Sequence, residues 1–264
     1  MEDKRKYHII IGSKGYFDMN LPEFTEDDVV DDFLELVKIS DTAKQNRLML
    51  DQHADILTIK NNSYHGIVEA AHDRLGPLIE ELTTDDAEIY IHNPPSVLKE
   101  YLENQKERSL IELDIVSEKY EIKRDSDVFV NKIKEISLHI FGQQTAIEEI
   151  SKSLWYLTTV KRSKPYVIML YGNSSLGKTE LVREIAEKFF GGKYLEKHLS
   201  MFKNNNYSEY FFGDAPNRRS LGYDLLERES NLIFLMNWIN ALSISFLRSI
   251  HYLIMFNLEM LLMM

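Results

Sequence analysis

Residues 165–179 read PYVIMLYGNSSLGKT and carry the strongest structural signal in the chain. The apolar run 165–171 has the length and composition of a buried β-strand. Beyond it, Leu181, Ile185 and Phe189 recur at intervals of four residues, as apolar residues do on one face of a helix. The sequence therefore predicts a strand, a glycine-containing loop and a helix in direct succession.

The loop in this segment has the spacing G-x-x-x-x-G-K-[ST], the pattern of phosphate-binding loops. Gly172 and Gly177 would let the backbone turn tightly and approach a phosphate, because no Cβ stands in the way. The main-chain N–H groups of the loop and of the helix start would point at the phosphate oxygens. The candidate phosphate-binding residues of the loop are Gly172, Asn173, Ser174, Ser175, Leu176 and Gly177.

The last two residues of the pattern supply a charge and a metal ligand. We expect Lys178 to reach the β and γ phosphates as a point charge and the Thr179 hydroxyl to bind Mg²⁺. The sequence thus predicts a nucleotide site with ATP and Mg²⁺ as cofactors, in which Thr179 is the candidate metal ligand. The alternative is a glycine-rich turn with an incidental lysine.

The composition excludes several classes of protein. The 264 residues suffice for one large domain or two small ones, and an apolar fraction of 44% supplies a core. A net charge of −11 argues against a general nucleic-acid binder. The absence of cysteine excludes disulfides, thiolate metal sites and cysteine nucleophiles, and it suits a reducing cytosol. We therefore expect a cytoplasmic protein with no nucleic-acid partner.

Residues 1–128 show alternating strand and helix signals, which predict a small mixed α/β amino-terminal domain. Residues 7–11 are a short apolar run, and the following Gly12-Ser13-Lys14-Gly15 is interpreted as a simple turn, with contact to an anion as the alternative. A helix is expected from about residue 26, on an apolar stripe formed by Val29, Val30, Phe33, Leu34 and Leu36.

Other chemical motifs are weak. His53 and His72 lack the flanking ligands of a metal site, and we interpret both as surface residues. No G-x-S-x-G motif is present, so a hydrolase triad is not supported. No catalytic residue is assigned from the sequence.

From about residue 136 to residue 235, the order of features resembles an AAA+ ATPase module, most closely the second module of Clp-type protein unfoldases. Residues 140–147 (Ile-Phe-Gly-Gln-Gln-Thr-Ala-Ile) resemble the hydrophobic-Gly-Gln segment that lies against the adenine in that family. This makes Phe141 and Gly142 candidate nucleotide-binding residues. Residues 172–181 are close to the family's G-x-x-x-x-G-K-T-E-L.

The resemblance implies a fold, an activity and partners. Residues 129–235 would form part of a P-loop parallel sheet with helices on both faces, incomplete in its C-terminal half. The family couples ATP hydrolysis to the remodelling of a protein substrate and assembles into hexameric rings. Ring formation is not expected here, because the half-module would lack the necessary surfaces.

The chain departs from the family where the third strand of the module, residues 231–235, is predicted to end. In the family an Asp-Glu pair follows this strand: the Asp helps to hold Mg²⁺ and the Glu activates the attacking water. Here the strand is followed by Met236 and Asn237, and the next acidic residue is Glu259. We therefore expect weak or no nucleotide hydrolysis.

Residues 236–264 differ in composition from the rest of the chain and hold half of its ten methionines. Because Met and Trp have single codons, residues 236–240 (Met-Asn-Trp-Ile-Asn) fix most of the underlying bases. Read one base earlier, these bases encode Glu-Leu-Asp after a codon ending in AT, which is an Asp codon if it begins with G. We therefore interpret residues 236–264 as out-of-frame translation that truncates the module. The alternatives are a core or partner-binding helix and a membrane segment over residues 244–262, and we do not expect a membrane protein.

Three functions follow from these observations. The first is an AAA+ ATPase impaired in hydrolysis. The second is a non-enzymatic module whose amino-terminal domain binds a protein partner while the phosphate loop is vestigial. A small P-loop kinase ranks last, because no acceptor site or arginine-rich lid is evident.

Overall fold

A computed structural model describes residues 4–25, 28–47, 53–67, 69–120, 122–160, 164–173, 175–198, 209–211, 220–236 and 249–255. The chain divides into two units. The described part of the first unit ends at Glu118, and the second unit begins at Lys119.

The first unit alternates strands and helices around a five-stranded sheet with the order β2-β3-β4-β1-β5, in which every described pairing is parallel. Two 3₁₀ segments, Asn61–Gly66 and Glu69–Arg74, follow β3. The elements are β1 (Lys6–Ile11), α1 (Lys14–Asn20), β2 (Val30–Asp32), α2 (Phe33–Gln45), β3 (Ala54–Ile59), α3 (Leu75–Leu82), β4 (Thr83–His92), α4 (Ser96–Glu107) and β5 (Glu112–Ser117).

Helices cover both faces of this sheet. Tyr7, Ile9 and Ile11 of β1 lie in one apolar cluster with residues of α2, α3 and α4. Ile10 lies in a second cluster with Phe17 of α1. This explains the continuous apolar run of β1, because a strand buried on both faces gains about 1.5–3 kcal/mol from each large side chain it buries.

Two local predictions in the first unit are wrong. The helix expected from residue 26 begins at Phe33, because Val30–Asp32 pair with β3 and the Asp32 carboxylate caps α2 by accepting from the Leu34 N–H at 3.0 Å. The expected turn at residues 12–15 is shorter than predicted. Lys14 and Gly15 already belong to α1, whose first turn is capped by the Ser13 hydroxyl.

The second unit contains a four-stranded sheet with the order β6-β9-β8-β7. Helices α5, α6 and α7 contribute to one apolar cluster with β6 and β8. The elements are α5 (Ser126–His139), α6 (Gln144–Thr159), β6 (Tyr166–Gly172), α7 (Lys178–Phe190), β7 (Leu195–His198), α8 (Leu221–Leu226), β8 (Leu232–Met236) and β9 (Ser249–Met255).

The α/β class is confirmed, but the expected distribution of parallel strands is not. The all-parallel sheet lies in the first unit, where a small mixed domain was expected, whereas the sheet of the second unit is mixed because β9 runs antiparallel to both β6 and β8.

The tail enters the fold as a strand. Residues 249–255 lie between β6 and β8, so the proposed core helix over this part of the tail is wrong. Among the ranges described above, no helix is both long and apolar enough to cross a membrane.

Substituting Gly12 by alanine should destabilise the first unit. The φ of Gly12 is +155°, and a Cβ there would lie 2.6 Å from Glu118 Cβ and 2.8 Å from Glu118 Oε2. Such strain and crowding cost about 2 kcal/mol or more. Hydrogen exchange of the β1 amides in the full chain measures the loss.

Gly15→Ala is the matched control. A Cβ at Gly15 meets nothing within 4 Å, and the residue lies in a helix. Alanine there should leave stability unchanged or raise it by up to about 1 kcal/mol. Equal effects of the two substitutions would contradict the packing described for Gly12.

Candidate phosphate-binding site

The chain reverses sharply between β6 and α7, as the sequence predicts. β6 ends at Gly172 with φ +148°, and Gly177 precedes α7 in the left-handed conformation with φ +78°. Ser175 also has a positive φ, +64°. Ser174 lies outside the described residues. The positive φ angles explain the need for glycine at two positions of the motif, since other residues adopt them at a cost.

The space around the two glycines differs. A Cβ at Gly172 would lie 3.1 Å from Leu176 Cδ1, whereas a Cβ at Gly177 would meet nothing within 4 Å. Gly177 thus borders open space at the start of α7. The first N–H groups of a helix have no partner within the helix, so they are available to an anion approaching from that side.

Lys178 lies across the loop. Its Nζ donates to the carbonyl oxygens of Gly172 at 3.2 Å and Asn173 at 2.7 Å. Partial burial lowers the pKa of Lys178 from its ordinary value, because desolvation disfavours the charged form. A bound phosphate would offset that penalty by placing negative charge beside the ammonium group.

Helix α7 holds the loop from the other side. Leu181, Val182 and Ile185 are buried in the apolar cluster shared with β8. The Leu181 N–H donates to the Gly177 carbonyl at 2.9 Å, so the hydrogen bonding of the helix begins at the last glycine of the motif. Burial of this face fixes the helix start, and with it the position of Lys178.

The residue that faces Thr179 is not a metal ligand of the expected kind. Thr179 Oγ1 lies 3.9 Å from Sδ of Met236, the last residue of β8, which is 4% exposed. A thioether is a soft ligand, whereas Mg²⁺ prefers oxygen. Within the described ranges, no group of three or more His, Cys, Asp or Glu residues could hold a metal ion. Of the residues at this edge, the Thr179 hydroxyl fits Mg²⁺ and Met236 does not.

A residue that sequence reasoning left out contacts the loop. Gln143 lies immediately before α6, and its Nε2 donates to the Leu176 carbonyl at 2.6 Å. The family resemblance implies that the preceding Phe141 and Gly142 contact the nucleotide. The structure places this turn beside the loop through Gln143. Its presence in the hydrophobic-Gly-Gln segment was the available signal.

The two predicted residues of this turn are well exposed. Phe141 is 85% exposed, and Gly142 has φ +74°, where an added Cβ would meet nothing within 4 Å. An exposed aromatic side chain next to a loop contact is free to pack against a flat ligand. The described geometry therefore permits the adenine contact that the sequence predicts for Phe141.

No protein-family model matches this chain, and no curated protein matches its sequence. The assignment of the site therefore depends on the geometry of residues 172–179 and on the contacts of the neighbouring turn.

Replacing Gln143 by alanine should loosen the loop. Loss of its hydrogen bond to the Leu176 carbonyl removes about 0.5–1.5 kcal/mol, which corresponds to an increase in local opening of about two- to tenfold. Hydrogen exchange of the loop amides detects this change in the full chain.

Gln144→Ala provides the comparison, because Gln144 is the adjacent and exposed first residue of α6. It should leave the exchange of the loop amides unchanged. Equal exchange in the Gln143 variant and the unsubstituted chain would show that this contact does not hold the loop.

Proposed function

We propose that the chain binds ATP through residues 172–179. The observation that carries this proposal is the position of Lys178, whose Nζ lies on the carbonyls of Gly172 and Asn173 at the start of a helix preceded by a left-handed glycine. A cation, a glycine-rich turn and a helix N-terminus then converge on the same small volume. Together they suit a triphosphate better than a neutral ligand.

In this proposal each part of the site has one task. The loop and helix amides bind the β-phosphate, and Lys178 exchanges its contacts with loop carbonyls for contacts with the β and γ phosphates. Phe141 packs against the adenine, as the resemblance to AAA+ modules implies. Gln143 keeps the loop in its binding conformation through the Leu176 carbonyl.

Hydrolysis is expected to be weak or absent. Met236 stands where the related family has its metal-holding Asp, and it presents a thioether to Thr179. Mg²⁺ supplies charge neutralisation at the phosphates when it is bound, and Thr179 is the residue that would contact it. Since Thr179 is the one oxygen ligand identified among the described residues, most of the metal's coordination would come from the nucleotide and water.

The proposal also covers the family of the second unit, the location of the protein and the origin of the tail. The resemblance over residues 136–235 supports an AAA+ module and, in intact members of that family, remodelling of a protein substrate. The absence of cysteine supports a cytoplasmic location. The composition and codon pattern of residues 236–264 support a frameshift. Met236 also favours a second candidate, a non-enzymatic module whose amino-terminal domain binds a protein partner while the phosphate loop is vestigial.

Lys178→Ala should weaken ATP binding by at least about tenfold, because the variant loses a charge-assisted contact to phosphate. Isothermal titration calorimetry of the full chain with ATP measures the change.

Lys188→Ala is the matched control on the same helix. Lys188 pairs with Glu135 at 2.7 Å near the other end of α7, and its loss should leave the dissociation constant unchanged. ATP affinity that is equal in both variants would contradict the proposed role of Lys178.

Met236→Asp should make ATP binding depend on Mg²⁺. The new carboxylate would lie beside Thr179 Oγ1, where it supplies the missing hard ligand. The ATP dissociation constant is measured in EDTA and with Mg²⁺. The ratio of the first to the second should be at least about tenfold larger than in the unsubstituted chain.

Met236→Asn is the matched control. Asparagine has nearly the size of aspartate but carries no charge, so this variant should show no such gain in Mg²⁺ dependence. Without Mg²⁺, the Asp variant should also unfold at a lower temperature than the Asn variant, because an unpaired buried carboxylate is costly. Identical Mg²⁺ dependence in the two variants would place the metal away from Met236.

A further inference from the structure

The two units share one strand order. If the strands are numbered in chain order within each unit, β6 to β9 are strands 1 to 4 of the second unit. Read from β7 to β6, the sheet of that unit then has the strand order 2-3-4-1. The sheet of the first unit has the strand order 2-3-4-1-5, so it shows the same order from β2 to β1 and has β5 as an additional strand beside β1. The fourth strand differs in direction, since β4 is parallel to its neighbours and β9 is antiparallel.

The first strand of each unit ends in the same way. Gly12 and Gly172 both lie at the carboxyl end of that strand, with φ angles of +155° and +148°. The next helix begins with a lysine in each case, Lys14 in α1 and Lys178 in α7. The first unit therefore repeats the layout on which the proposed nucleotide site is built.

The loops between glycine and lysine differ. In the second unit residues 173–177 separate Gly172 from Lys178, whereas Ser13 alone separates Gly12 from Lys14. One residue spans at most about 3.6 Å, so this link cannot wrap around a phosphate group.

The main-chain N–H groups of Gly12 and Ser13 already have hydrogen-bond acceptors within the protein. The Ser13 N–H donates to Glu118 Oε2 at 2.7 Å, and the Gly12 N–H donates to Asn93 Oδ1 at 3.0 Å. The Gly12 carbonyl in turn accepts from Asn93 Nδ2 at 2.9 Å. The carboxylate of Glu118 thus stands where an anionic ligand would have to bind.

The residues around this link are buried, and Glu118 itself is partly buried. Ser13, His92 and Asn93 are each less than 5% exposed. The rings of Phe17 and His92 stack with centroids 4.7 Å apart. The 2.6 Å between a Cβ at Gly12 and Glu118 Cβ shows that even one added carbon does not fit.

We propose that the first unit repeats the glycine-to-lysine layout of the second unit and that its own Glu118 carboxylate occupies the anion position, so that this unit binds no nucleotide. The statement that ATP then binds in the second unit rests on the proposed function. Glu118 is also the last residue before the second unit, so the same contact fixes the point at which the chain leaves the first sheet.

Amide NMR of the full chain tests this closure. Titration with Mg-ATP and, separately, with inorganic phosphate should leave the Gly12 and Ser13 resonances unmoved. Glu118→Ala should speed hydrogen exchange of the Ser13 amide by about tenfold or more, because a hydrogen bond to a charged group is lost. Glu118→Gln keeps an oxygen acceptor, so its Ser13 amide should exchange more slowly than in Glu118→Ala and at a rate closer to that of the unsubstituted chain.

The outcomes separate the two proposals. A saturable shift of Ser13 with ATP or phosphate in the unsubstituted chain would overturn the closure, as would unchanged Ser13 exchange in Glu118→Ala. If Glu118→Ala does not fold, the titration of the unsubstituted chain and of Glu118→Gln still decides. Unmoved Gly177 and Lys178 resonances with ATP would defeat the proposed function, while unmoved Ser13 would still support a closed first unit.

Discussion

The turn from β6 into α7 constrains everything proposed for this chain. Because α7 buries Leu181, Val182 and Ile185 against the sheet, the helix must begin close to the end of β6. The backbone makes that reversal with positive φ angles at Gly172 and Gly177. As a result, the Lys178 ammonium falls on the carbonyls of the strand end, where it is partly desolvated and suited to meet a phosphate.

The turns after β1 and β6 show how the same arrangement of strand, glycine and helix can give different chemistry. In the second unit an added Cβ at Gly177 would meet nothing within 4 Å, whereas in the first unit Asn93 and Glu118 accept the N–H groups of Gly12 and Ser13. A carboxylate therefore appears where the first unit would bind an anion. At β8, by contrast, Met236 replaces the carboxylate expected beside Thr179. The side chain of Met236 beside Thr179 supports the proposal of nucleotide binding without efficient turnover.

Sequence alone predicted the elements whose signals are local. The apolar run before Gly172 and the four-residue spacing after Thr179 predicted β6, the loop and α7. Contacts between distant parts of the chain were missed. Gln143 and Leu176 are joined only by folding, and a lone Glu118 after a strand carries no sign of its bond to Ser13. The antiparallel insertion of β9 was missed because it pairs with strands that lie elsewhere in the chain, and the composition of the tail does not indicate which ones.

A crystal structure of the full chain with a non-hydrolysable ATP analogue tests the central claim most directly. We expect Lys178 Nζ to leave the Gly172 and Asn173 carbonyls and to lie about 2.7–3.2 Å from a β- or γ-phosphate oxygen, with the Gly177 and Lys178 amides directed at the phosphates. A nucleotide bound elsewhere, with Lys178 still on the two carbonyls, would contradict it.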